Sequence, residues 1–146
     1  MAGQGIDPTL RLSLREGSAY YFTDRSLTSP EPHFFFVLNS SPLTQGVLLL
    51  GVVTSKVPEV KQRRRATPDT IVEISPQTFA ILKKLSIVDC NDLKQVQLEE
   101  FNARFQRKEI RCFDKDVPAP LRNALRKAIH ASPIVPDELK ALVTKA

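Results

Sequence analysis

The chain has 146 residues, of which 42% are hydrophobic and 25% charged, and carries a formal net charge of +5. Those values fit one globular domain over residues 1–146 and exclude a disordered, fibrous or two-domain chain. The longest apolar run, residues 47–53, falls far short of the roughly 20 residues of a membrane helix, and residues 1–7 lack the basic and apolar segments of a secretion signal. A cytoplasmic protein with no membrane partner is therefore expected. Cys90 and Cys112 read as two small buried hydrophobes rather than a disulfide.

In chain order, SAYYFT (18–23) predicts a strand after Gly17, and the Ser- and Pro-rich stretch 24–32 predicts a surface loop. HFFFVL (33–38) is a central strand ended by Asn39, Ser40, Ser41 and Pro42. VLLLGVVTS (47–55) pairs with it as an antiparallel hairpin, with Gly51 marking a bend or bulge. Residues 56–69, with prolines at 58 and 68 around a basic run, read as a long exposed loop. TIVEI (70–74) returns to strand, and Ser75-Pro76 predicts a short helix to about Leu82. LSIVD (85–89) and LKQVQL (93–98) read as two strands joined by a turn at Cys90, Asn91 and Asp92.

A helical turn at 99–106 and a last strand at 108–113 follow. From Pro118 the apolar spacing becomes helical, placing Leu121, Leu125, Ala128 and Ile129 on one stripe, and a final helix starts near Asp137. Serial short strands without crossover helices predict a mainly β (α+β) fold. Its form is a small antiparallel SH3-like barrel over about residues 12–113, with C-terminal helices over about 118–146. Val37, Leu49, Val52, Ile71 and Ile87 are expected in one core.

Phosphate-loop, dinucleotide, nucleophile-elbow and metal-spacing motifs are absent, so no cofactor and no metal site are expected. His33 opens the central strand, where a histidine either caps the strand or faces a groove. Thr54 and Ser55 end the partner strand, either as ordinary hydroxyl caps or as part of a site. The hairpin register decides whether His33 meets them or lies a strand length away. Arg63, Arg64 and Arg65, with Lys56 nearby, form a basic segment suited to a phosphate backbone. Arg122, Arg126 and Lys127 form a second basic set that is a candidate for the same face.

This order of features, with HFFFVLN ending at Asn39 and the next strand at Thr54-Ser55, resembles the PemK/MazF-type toxin superfamily over about residues 12–98. The resemblance implies a homodimeric SH3-like barrel that cleaves single-stranded RNA without metal and is neutralised by a cognate antitoxin. Thr54 and Ser55 match the family's hydroxyl positions, which the resemblance implicates in binding the scissile phosphate. His33 stands where the family has its catalytic arginine, and Phe34 where it has a proline. His33 is then the candidate acid or base, and Arg25 or an arginine of 63–65 the candidate cation. The alternatives are a non-catalytic protein-interaction module on the same barrel and a basic nucleic-acid-binding domain.

Overall fold

The β-branched and aromatic runs become strands β1 (Ala19–Phe22), β2 (His33–Val37), β3 (Val47–Thr54), β4 (Ile71–Ile74), β5 (Ser86–Gln97) and β6 (Arg111–Cys112). These come from a computed structural model that describes residues 5–25, 27 and 31–145. Part of the expected loop at 24–32, residues 26 and 28–30, lies outside the described residues. The strands form one six-stranded sheet in the order β4-β5-β3-β2-β1-β6, antiparallel at every pairing. Helices α1 (Pro8–Ser13), α2 (Pro42–Gln45), α3 (Val57–Arg63), α4 (Leu98–Gln106), α5 (Ala119–Ala131) and α6 (Asp137–Lys140) complete it. The mixed, mainly β, barrel-like architecture expected from the sequence is the one observed. No helix among the described residues is long and apolar enough to cross a membrane.

Alternation along the strands gives the sheet two apolar faces. Phe35, Val37, Leu48 and Leu50 face α1 and α4 through Leu10, Leu98 and Phe101. Phe36, Leu38, Leu49 and Val53 face α5 through Leu121, Leu125, Ala128 and Ile129. The expected single core is therefore corrected. Val37 and Val52 lie on the α1/α4 side, Leu49 on the α5 side, and Ile71 and Ile87 form a third cluster with Val57 and Val60. A period of two sends neighbouring strand residues to opposite faces, so an apolar run buried on both sides supplies two cores.

The β2–β3 hairpin is closed by Asn39, whose side chain is fully buried. Its Nδ2 donates to the Val47 carbonyl (2.7 Å) and to Gln45 Oε1 (2.8 Å), and its Oδ1 accepts the Leu49 N–H at 2.9 Å. A buried amide with its groups matched in this way favours a single hairpin register. Gly46, at φ 73°, caps α2 in the left-handed region and turns the chain into β3.

The expected turn at Cys90, Asn91 and Asp92 is instead a bulge inside one continuous strand. Gly51 pairs with Leu93 and Val53 with Val88, so Val52 alone stands opposite Asp89, Cys90, Asn91 and Asp92. Asp89 Oδ1 accepts both the Asn91 N–H (3.1 Å) and Asn91 Nδ2 (2.8 Å), turn chemistry used without ending the strand. Gly51 suits the close packing beside it, because a Cβ there would meet Leu38 Cδ1 at 2.8 Å and Val88 Cγ1 at 3.0 Å and push those side chains aside.

Two further expectations change. Residues 56–69 are only partly a loop: α3 forms over Val57–Arg63 because Pro58 sits in its first turn and Val57 and Val60, three apart, bury against Ile87. Residues 75–82 are turns rather than a helix. Ser75 does cap, its Oγ accepting the Thr78 N–H at 3.3 Å, but Phe79 and Leu82 then enter the α5-side core and set the path of the chain.

Leu125, 2% exposed at the centre of the α5 stripe, tests this packing. Leu125→Ala is expected to lower unfolding free energy by about 2–5 kcal/mol in urea titration. Asp89 supplies a pH test. Burial pushes its pKa up, but hydrogen bonds from Asn91 and Arg64, with the Arg64 charge, outweigh that and hold it below the ordinary carboxylate value. A depressed folded pKa adds stability above the unfolded value of about 3.9 that disappears as pH falls through the folded one. The urea midpoint of wild type should therefore drop on acidification below about pH 4 more steeply than that of Asp89→Asn, compared at matched ionic strength.

Candidate functional site

The hairpin register brings the sequence candidates together. Phe34 pairs with Val53 and Phe35 with Val52, so the register carried one step further sets His33 opposite Thr54. Cross-strand partners on one face have Cβ atoms about 4.5–5.5 Å apart. His33, Thr54, Ser55 and Lys56 all line an open cleft of about 310 Å³ at this end of the sheet, with Tyr21, Phe34, Lys83 and Lys84 among the other lining residues.

Each of the sequence candidates in the cleft has a defined state. The His33 Nδ1–H donates to the Glu31 carbonyl at 2.9 Å, an arrangement that leaves Nε2 of the neutral ring as the acceptor. Thr54 Oγ1 accepts the Lys56 N–H at 3.2 Å, the hydroxyl cap anticipated from sequence, and keeps its own proton to donate. Ser55 and Lys56 are exposed. Lys56, Lys83 and Lys84 form no ion pair among the described residues, and with Glu31 as the one carboxylate in the lining the cleft carries an excess of positive charge.

Other candidates lie elsewhere. Arg25 lines a larger cavity of about 710 Å³ with Thr23, Asp24, Glu100, Arg104, Arg107 and Glu109, which shares no lining residue with the His33 cleft. Arg63 Nη2 (3.3 Å) and Arg64 Nε (3.0 Å) both reach Asp89 Oδ2, so they brace the bulge. Arg65 is exposed beside them. In the second basic set, Arg126 grips Glu16 in a two-pronged pair (2.7 and 2.5 Å), and Arg122 donates to the Val117 carbonyl at 3.2 Å. Both serve to dock α5.

Sequence reading passed over Lys83 and Lys84. Two adjacent lysines between Leu82 and Leu85 read as an ordinary helix-to-strand junction, and only the three-dimensional path places them beside Thr54. The signal available was their position immediately before a strand, next to a buried leucine. Cys90 and Cys112 are both free, and burial pushes the Cys90 thiol far above its ordinary value, making it a packing group. Among the described residues no group of three or more His, Cys, Asp or Glu side chains is placed to hold a metal.

No family of known sequences matches the chain, and no curated protein does. Among solved structures it is similar to an endoribonuclease in complex with its cognate antitoxin from a mycobacterial species, with a TM-score of 0.53 and 12% identity. The match covers 84% of this chain and 97% of that one. At that identity the likeness is one of fold, and the chain shares its architecture with that endoribonuclease.

Proposed function

We propose that this chain is a metal-independent endoribonuclease of the PemK/MazF-like toxin kind, cutting single-stranded RNA in the cleft at the open end of β2 and β3. The observation that carries the reading is the meeting of His33 with Thr54 and Ser55 in a cleft lined also by Lys56, Lys83 and Lys84. The fold shared with a solved endoribonuclease supports it.

Cleavage by the RNA's own 2′-hydroxyl needs a base for that proton, charge for the phosphorane and a proton for the departing 5′ oxygen. His33 Nε2 is the base, because Nδ1 is already held by the Glu31 carbonyl. The Thr54 and Ser55 hydroxyls donate to the non-bridging oxygens. Lys56, Lys83 and Lys84 offset the developing negative charge and provide a proton source for the leaving group. The cationic role considered for Arg25 and for Arg63, Arg64 and Arg65 thus passes to these lysines. No step of this scheme calls on a metal or an organic cofactor. On the same reading the chain acts as a cytoplasmic homodimer and is held silent by a cognate antitoxin; the solved neighbour, seen in complex with its own antitoxin, supports that partner.

The decisive measurement is incubation of purified protein with single-stranded RNA in the presence of a chelator. Products ending in a 2′,3′-cyclic phosphate are expected, and His33→Ala should slow turnover by about 10²–10⁴-fold while leaving RNA affinity nearly intact. Neither cleavage nor RNA binding at low salt would leave the barrel as a protein-interaction module. Replacing Lys83 and Lys84 with alanine should weaken binding and reduce the slope of log affinity against log salt by about 1.4, two single-strand phosphate contacts' worth. An unchanged slope would remove those lysines from the backbone-binding role.

A further inference from the structure

One rung of the sheet crosses from β6 to β5 through Arg111, Tyr21, Phe34, Val53 and Val88. Partners on a rung share a face. Burial along this one falls toward β6: Val88 is 0% and Val53 5% exposed, Phe34 and Tyr21 are half-buried, and Arg111 is exposed. The apolar layer that packs on α5 thus emerges into the cleft as two aromatic rings, with centroids 4.7 Å apart and planes inclined at 52°. Phe34 is braced in turn by Phe113 at 5.2 Å, and the Arg111 guanidinium covers the Phe113 ring at 4.9 Å.

We infer that Tyr21 and Phe34 form a stacking platform for an unpaired nucleobase next to the phosphate held by the cleft lysines. Rings needed only for packing are covered, as Phe35 and Phe36 are on the same strand. Here two half-buried aromatic residues line one cleft with Lys56, Lys83 and Lys84. Aromatic rings beside lysine cations complement one class of ligand, a polyanionic strand with exposed bases. A base inside a duplex offers no free face, so the platform selects single strands. Stacking tolerates every base, so it sets strandedness rather than sequence.

The inference rests on the reading of the cleft as an RNA site, and the test separates the two. A short, fluorescently labelled 2′-O-methyl RNA lacks the attacking hydroxyl, so its binding reports affinity without cleavage. Tyr21→Leu keeps apolar bulk but removes the ring, and is expected to weaken that binding by about 5- to 150-fold. Tyr21→Phe should bind as wild type does, which guards against a folding defect. An abasic oligomer of equal charge should bind wild type and Tyr21→Leu equally. Equal affinity of Tyr21→Leu and wild type for the base-bearing strand overturns the platform, and so does an equal loss for the abasic one. Strong, ring-dependent binding without cleavage of ordinary RNA would sink the nuclease reading and leave the platform standing.

Discussion

The carboxylate of Asp89 is the point on which the arrangement turns. It is 4% exposed, and a buried carboxylate is tolerable only when charge and donors surround it. Arg63 and Arg64 reach it from the end of α3, and Asn91 from across the bulge. Asn91 relays the contact onward, donating to Thr70 Oγ1 at 2.7 Å and accepting from Ser132 Oγ at 2.6 Å. One charge thereby ties the end of α3, the approach to β4, the middle of β5 and the end of α5. Because the bulge absorbs extra residues, β5 resumes its pairing with Ile87 against Thr54. Ser86 and the lysines before it are then delivered to the rim of the cleft. The site is a remote product of that bend.

The same interaction explains why two arginines of a basic run that looks made for nucleic acid are otherwise engaged, with Arg65 left exposed. Arginines are the cations best suited to a two-pronged grip on carboxylates, and here Arg126 and, through Asp89, Arg63 and Arg64 are committed to holding helices in place. Lys56, Lys83 and Lys84 are in no such pair among the described residues. Part of the positive charge is thus taken up by the architecture, through Arg63, Arg64 and Arg126, while Lys56, Lys83 and Lys84 stand at the cleft.

Much of the fold was legible because it follows from period and punctuation. The β2–β3 hairpin, the bend at Gly51 and the stripe of Leu121, Leu125 and Ile129 are local patterns with local causes. The misread segments share a different cause. Cys90, Asn91 and Asp92 have turn chemistry, and nothing near them in sequence says that β3 and β4 will hold both flanks in one strand. In residues 56–69 the prolines concealed a short helix that depends on Ile87, far along the chain, to cover Val57 and Val60. His33 with Thr54 and Ser55 was within reach of sequence because the register of one hairpin joins them. Lys83 and Lys84 were not, since their approach to Thr54 depends on the β5 bulge.

The stretch between Ser75 and Ser86 has no regular structure, yet Phe79 and Leu82 fasten it into the core under α5. Those two rivets set where the segment runs, while the residues immediately after them face solvent. Replacement of residues 83–85 therefore changes the charge presented at the cleft without disturbing a strand or helix. The charge of the cleft is separable from foldability in this molecule, and lineages or designers can vary the first with the second held constant.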